Sequence, residues 1–242
     1  MQCVILAGGL ATRMRPLTET VPKALIPVAG APFIDHQLGW LAGHGVTRVV
    51  LSVGYRGDML AAHVGDGRRW GLSVRMVDEG ARLRGTAGAL RLAADEQALD
   101  DAFLVTYGDS FLPIDFAAVW QRFLASGAPA LMTVFRNAGR WDTSNVIVEG
   151  NGGRERVALY DKRHRTRPAA DFAFIDYGLS ALRREVVEAM VPAGGAPADL
   201  ADLFHELSLR GELAAMEAAE RFFEIGSPAG LEDFERWLRA RA

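Results

Sequence analysis

Leu6 to Lys23 reads LAGGLATRMRPLTETVPK, an apolar run that ends in Gly8 and Gly9 and then sets Arg13, Arg15 and Lys23 beside two prolines. Glycine lets a ligand approach the backbone closely, so that main-chain N–H groups face it. Arginine offers a planar fork for phosphate oxygens, and lysine a compact point charge. A surface loop needs none of this; a site for a polyphosphate needs all of it. The use of lysine adds a second signal. Of 27 basic residues only two, Lys23 and Lys162, are lysines, and the rest are arginines. A coding bias toward arginine explains the excess but not why these two positions escape it.

The loop matches neither common phosphate motif. G-x-G-x-x-G fails because Ala11 and Thr12 stand where further glycines belong, and the glycine-lysine-serine/threonine end of a P-loop is absent. The elements around it nevertheless suit a nucleotide. Gln2–Leu6 is expected as a buried strand and Pro32–Gly45 as an amphipathic helix. Strands at Arg48–Val53, Ser73–Val77, Ala102–Tyr107 and Ala130–Phe135 then alternate with helices near Gly57–Val64, Thr86–Ala94 and Phe116–Ala125. This is the pattern of an α/β fold with a mostly parallel sheet covered on both faces. Ligands of such sheets bind at the carboxyl ends of the strands, where the loops after Leu6 and Tyr107 lie.

After about residue 136 the pattern changes. Asn145–Glu149, Arg156–Tyr160 and Phe172–Tyr177 read as strands of a smaller added sheet. Helices at Arg183–Met190 and Leu200–Leu209, a hairpin-like pair at Leu213–Ala218 and Arg221–Ile225, and a helix at Leu231–Arg239 follow. Ala193–Pro197 is the most linker-like stretch. The expectation is one domain, 1–242, with halves 1–135 and 136–242.

Composition limits the function. Half of the 242 residues are hydrophobic, enough for a sizeable core. A net charge of -3 argues against a general nucleic-acid binder, so anionic ligands must be met by locally placed charge. Cys3 is the single cysteine, which excludes a disulfide framework and a cysteine zinc site. The five histidines show no metal spacing. No signal peptide and no membrane-length apolar run is visible, so a cytoplasmic compartment is expected, with no membrane partner. A homo-oligomer is left open.

The stretch L-A-G-G-x-x-T-R-M-R-P-L-T-x-x-x-P-K resembles the signature of the sugar-phosphate nucleotidyltransferases, also called nucleoside-diphosphate-sugar pyrophosphorylases. The resemblance runs over nearly the whole chain. Gly85-Thr86-Ala87-Gly88-Ala89 looks like the family's second nucleotide loop, and Tyr107-Gly108-Asp109 like its metal-binding Gly-Asp. Tyr160-Asp161-Lys162 resembles its sugar-phosphate strand, and Phe223-Glu224-Ile225-Gly226-Ser227-Pro228 its late metal-binding turn. The nearest branch looks like the heptose-1-phosphate guanylyltransferases and related hexose-1-phosphate enzymes. Taken singly, each residue has a bland explanation: a turn aspartate, a solvated arginine, a helix-entry glycine. The order of five motifs along one chain carries the reading.

The resemblance implies a Rossmann-like three-layer fold. It also implies a reaction between a nucleoside triphosphate and a sugar 1-phosphate that gives a nucleotide sugar and pyrophosphate, with Mg²⁺ as cofactor. Leu6, Gly8, Gly9, Arg13 and Gly85 are the implied nucleotide contacts, and Arg13, Lys23, Asp109 and Lys162 the implied catalytic residues. Asp109 and Glu224 would hold the metal; Lys162 would meet the phosphate of the sugar and Asp161 its hydroxyls. Both lysines thus fall where the family places functional lysines.

Several positions depart from the family. Ala11 replaces a usual glycine, Tyr107 a frequent asparagine and Asp176 the asparagine of Asn-x-Gly. Asp142 follows Trp141 where an aromatic-glycine pair is common. Glu224 replaces aspartate, and Asp161 replaces glutamate. Most of these lie on the sugar side. A phosphocholine-type acceptor is therefore the runner-up, with Trp141 and Tyr177 as candidates for an aromatic cage. A catalytically silent nucleotide-sugar sensor and a dinucleotide oxidoreductase are rivals of other classes. The first should have lost Asp109 or a lysine, and the second lacks its glycine fingerprint.

Overall fold

In the first strand, β1 (Gln2–Ala7), Cys3 and Ile5 face one hydrophobic cluster and Val4 the other. A strand whose two faces are both apolar has to be covered on both, and the chain supplies helices for each. The computed structural model describes residues 1–9, 14, 17–80, 82–137 and 139–241.

In chain order the strands are β1, β2 (Pro27–Val28), β3 (Ala31–Pro32), β4 (Arg48–Val53), β5 (Ser73–Asp78), β6 (Ala102–Tyr107), β7 (Ser110–Phe111), β8 (Ala130–Arg136), β9 (Val146–Glu149), β10 (Arg156–Tyr160), β11 (Phe174–Arg183), β12 (Leu213–Glu217) and β13 (Phe223–Glu224). The helices are α1 (Phe33–Gly43), α2 (Gly57–Val64), α3 (Gly85–Asp95), α4 (Phe116–Ser126), α5 (Arg184–Met190), α6 (Leu200–Leu209) and α7 (Pro228–Arg239). Apolar residues of α3, α5 and α6 pack with Val4, Phe103 and Met132 on one face of the sheet. Those of α1, α2 and α4 pack with Cys3, Leu104 and Leu131 on the other. The result is three layers, as expected.

The sheet itself departs from expectation in two ways. Its order is β5-β4-β1-β6-β11-β8-β12-β10-β9. The run β5-β4-β1-β6 is parallel, as is β12 on β8, but β11 enters antiparallel between β6 and β8. The sheet is therefore mixed rather than mostly parallel. The smaller added sheet is not separate either. β10 and β9 extend the main sheet through β12, and β9 curls back to touch β11 at Val146 and Phe174.

The strand expected at Phe172–Tyr177 runs on to Arg183. A register shift between Asp176 and Ser180 lets its first part pair with β8 and its last part with both β8 and β6. Gly178, with φ +99°, supplies the backbone conformation that this bulge requires. The hairpin expected near the C-terminus is absent. Leu213, Ala214 and Ala215 are buried, which marks an interior strand, and β12 lies between β8 and β10. β13 instead leaves to pair with β7.

A third cluster joins α7 to this small pair. Phe33, Phe111, Phe223 and Phe234 are buried together, with Trp40 and Trp237 packed against them. The Phe111 and Phe234 rings lie 4.6 Å apart, within the range of favourable aromatic pairs. Among the described residues, no helix is long and apolar enough to cross a membrane.

Candidate active site

The parallel strands β1, β6 and β5 deliver Gly8, Asp109 and Glu79 to one edge of the sheet, just beyond their carboxyl ends. There they help to line a cavity of ≈ 260 Å³, together with Leu6, Gly9, Lys23 and Gly85. Gly8 has a steric reason to be glycine, since a Cβ there would collide with Glu79 Oε1. Gly85 has two. Its φ is +71°, and a Cβ would lie 2.5 Å from the Ala198 carbonyl oxygen.

On the other side of that cavity lies a cluster of charge. Lys23 Nζ donates to Asp109 Oδ2 at 2.6 Å. Pairing of β7 with β13 sets Ser110 opposite Glu224, and Ile225 N–H donates to the Asp109 carbonyl at 3.0 Å. A Cβ on Gly226 would lie 3.5 Å from the Lys23 ammonium, so the turn after Glu224 reaches Lys23 as well. Glu224 keeps access to solvent, yet partial enclosure and then the Asp109 carboxylate beside it raise its pKa. Lys23 and Lys162 oppose the rise, and Asp142 adds to it. Two carboxylates, Asp109 from the turn after β6 and Glu224 from β13, interact here, and the charges of both lysines act on Glu224. Among the described residues no group of three or more metal-ligating side chains occurs. A pair is nonetheless what a hard cation that also binds substrate phosphates asks of a protein.

The third region is the turn after β10. Lys162 is exposed, and its charge acts on both Glu224 and Asp176. Asp161 is buried beneath it. Its Oδ2 accepts from Thr166 N and Thr166 Oγ1 at 2.7 and 2.6 Å, and its Oδ1 from Arg163 N at 3.3 Å. Burial works against its charge, but these bonds and one from the Arg165 N–H outweigh it and hold the carboxyl at about 2. Asp161 thus closes the loop that presents Lys162. Burial raises the pKa of Asp176 against hydrogen bonds from the Gly178 N–H and the Tyr160 hydroxyl and against the Lys162 charge.

A family model described as "Nucleotidyl transferase" matches residues 2–192. The chain belongs to the nucleotidyl transferase family. It is 38% identical over 136 residues to the mannose-1-phosphate guanylyltransferase of Mycobacterium tuberculosis, a match that covers 56% of this chain and 37% of that protein. It is 30% identical over 229 residues to the glucose-1-phosphate thymidylyltransferase of Streptomyces antibioticus, covering 94% of this chain and 58% of that one. The first of these curated relatives are thus matched over only about a third to three fifths of their own length. Among solved structures, HddC from Yersinia pseudotuberculosis complexed with GMP-PN superposes with a TM-score of 0.74 at 21% identity, covering 98% of this chain and 99% of that one. The inositol-1-phosphate CTP transferase from T. maritima gives 0.75 at 20% identity, covering 98% and 94%. At such identities the likeness is one of fold.

Within this nucleotidyl transferase fold, Leu6, Gly8, Gly9, Lys23, Gly85 and Asp109 line one cavity. Glu224 and Lys162 share its electrostatic field. Arg13 lies outside the described residues. Asp161 accepts hydrogen bonds from its own loop, at Thr166 and Arg163. Arg163 pairs with Asp199 and Asp202, and Arg165 with Asp202. No aromatic cage forms from Trp141 and Tyr177. Tyr177 is buried among Phe135 and Phe222, and the face of Trp141 carries the Arg221 guanidinium at 4.0 Å.

Glu79 escaped the sequence reading, and Tyr107 was noted there only as a departure from the family. Glu79 is buried and raised by that burial, and accepts from Arg84 N at 2.9 Å. Its position directly after a parallel strand was the available signal. Tyr107 lines the cavity, and burial with the nearby carboxylates Asp176, Asp199, Asp109 and Glu224 drives its pKa up. The linker-like Ala193–Pro197 proves to lead into a clamp. Ala198 N–H donates to the Arg84 carbonyl, and the Ala198 carbonyl accepts from Ala87 and Gly88 N–H at 3.0 and 3.1 Å.

Proposed function

We propose that the chain is a sugar-1-phosphate nucleotidyltransferase, with the triphosphate in the cavity at Gly8, Gly9 and Gly85 and the sugar phosphate at Lys162. The observation that carries this reading is the charge cluster between the two, Lys23 bound to Asp109 with Glu224 alongside. Residues 1–135 would supply most of the nucleotide contacts, and residues 136–242 those to the sugar phosphate.

In this reading an oxygen of the sugar phosphate attacks the α-phosphorus of the triphosphate. The new phosphorus–oxygen bond forms in line as the bond to the β-phosphate oxygen breaks, and pyrophosphate leaves with the electron pair. A phosphate monoester has its second pKa near ~6, so the nucleophile is largely dianionic at neutral pH and no general base is needed. What the protein must do is hold two anions together in line. The glycine edges let the nucleotide approach the backbone. In this reading the Lys23 ammonium would sit between the reacting phosphates, and Lys162 would draw the sugar phosphate toward them. Arg13 would grip the departing phosphates. Asp109 and Glu224 fit Mg²⁺, which bound there would neutralise charge developing on the phosphoryl oxygens.

The test is pyrophosphate release, with GTP, CTP, UTP and dTTP each offered with mannose 1-phosphate, glucose 1-phosphate and phosphocholine. Release with a sugar 1-phosphate that stops on addition of a chelator supports the reading. Release with phosphocholine alone moves the acceptor to the runner-up, and release with none favours a silent sensor.

A further inference from the structure

The Gly85-Thr86 loop and the Lys162 loop belong to opposite halves of the chain, yet both end on one carboxylate. Thr86 Oγ1 donates to Asp199 Oδ1 at 2.7 Å. Arg163, directly after Lys162, donates through Nη2 to Asp199 Oδ2 at 3.2 Å and through Nη1 to Asp202 Oδ1 at 2.7 Å.

Asp199 occupies the N-cap position of α6, where an aspartate ordinarily accepts from its own helix. Here its side chain makes no capping bond. Thr86 does the capping instead, accepting from Leu200 N–H at 2.8 Å while its hydroxyl proton goes to Asp199. The carboxylate is thereby freed to face two loops, one oxygen for each.

We infer that Asp199 is a positioning residue that couples the two substrate half-sites, an inference that rests on the substrate placement proposed above. The nucleotide loop is held rigidly at this point, since Ala198 bonds Arg84, Ala87 and Gly88. Asp199 passes that rigidity to Arg163, and so to the turn that carries Lys162. Lys162 is exposed and must be ordered to meet a phosphate, which costs side-chain entropy. A turn anchored on both sides, by Asp161 from within and by Asp199 through Arg163, lowers that cost only while the nucleotide loop is in place. Stability alone does not explain the arrangement. The Arg163 and Asp199 side chains are 42% and 49% exposed, and ion pairs so exposed add little to folding.

The experiment uses the most active triphosphate and sugar 1-phosphate pair from the release assay. Asp199→Ala removes both bonds. It is expected to raise the KM of each substrate by about three- to tenfold, with kcat and Tm little changed. Retention of Asp202 as a partner for Arg163 keeps the effect in that range. Asp199→Asn keeps an acceptor oxygen for Thr86 but loses the charge facing Arg163, and is expected to raise the KM of the sugar phosphate alone. Three results for Asp199→Ala would overturn the inference: both KM values at wild type, only one of them moved, or a fall in kcat and Tm with both KM values unmoved. A parent protein that releases no pyrophosphate with any pair removes the functional reading and this inference together. An active parent whose KM values ignore Asp199 removes this inference alone.

Discussion

The Lys23 ammonium lies 2.6 Å from the Asp109 carboxylate, bringing the first loop of the chain onto the end of the central strand β6. The two side chains are 16% and 39% exposed. Lys23→Met should therefore do two things at once. It removes the cation expected between the reacting phosphates, costing about 100-fold or more in kcat. It also leaves Asp109 without its neutral pair. Asp109→Asn should likewise lower kcat far more than it raises the KM of the triphosphate, because the charge it holds is used most in the transition state. Steady-state kinetics with each substrate varied will check both, and unchanged turnover in Asp109→Asn would remove it from the site.

Glu224→Asp tests how firmly its backbone is held. Pairing with Ser110, the Ile225–Asp109 hydrogen bond and the aromatic cluster behind Phe223 fix that backbone. The shorter arm cannot be offset by moving the strand. The expected outcome is partial activity, reduced about tenfold, with a higher Mg²⁺ concentration needed for half-maximal rate, since bound water fills part of a one-methylene gap. A fully active Glu224→Ala would take Glu224 out of the site.

Gly85→Ala should fail by sterics before chemistry. The Cβ would lie 2.5 Å from the Ala198 oxygen, at a φ of +71° that alanine adopts poorly. A loss of about 1–3 kcal/mol is expected, read as a drop of several degrees in Tm. Thermal denaturation followed by circular dichroism gives the answer, and a wild-type Tm would show that the loop can open away from Ala198.

Asp161 makes an acid-stability prediction. Its native carboxyl sits at about 2, below its ordinary value of 3.8. Above pH ~4 both native and unfolded chains carry the charge, and the full stabilisation is present. As pH falls toward about 2 the unfolded chain takes up the proton first, so the stabilisation is lost across that window. Asp161→Asn should lower Tm at pH 7, and the gap from wild type should close as the pH approaches 2. A gap independent of pH would mean that the loop bonds do not depend on the charge.

Lys162→Arg should raise the KM of the sugar phosphate and leave that of the triphosphate nearly unchanged. Charge is conserved, but the wide guanidinium displaces a phosphate that a compact ammonium admits. A shift of ~1 Å in a reacting group can cost about 100-fold. Equal kinetics for Lys162→Arg and wild type would make the retained lysine an accident of coding.

The sequence showed best what is local. Arg48–Val53, Gly57–Val64, Ala102–Tyr107 and Leu200–Leu209 coincide with β4, α2, β6 and α6, because each carries its own periodicity and its own stop. Pairing was less visible. Residues 213–225 look like a hairpin because their strands are neighbours in the chain, but burial sends β12 into the main sheet and aromatic packing sends β13 to β7. The same limit applies to side chains. The lysines and the Gly-Asp turn could be found from type and place. That Asp161 bonds Thr166, or that Asp199 serves two loops, depends on partners that residue type alone does not name.

The insertion of β11 between β6 and β8 has a bearing on how the chain assembles. Everything up to residue 136 can be made, helices included, while β6 and β8 still have open backbone edges where residues 174–183 belong. A fragment ending near residue 136 would therefore hold Gly8, Lys23, Gly85 and Asp109 and still be an incomplete sheet, with unpaired edges that invite association with other copies. During synthesis the nascent chain must wait for β11, and then for β12 between β8 and β10, before its sheet is complete. Closure of that gap is a late, long-range step, of the kind that slows folding and leaves intermediates prone to aggregation.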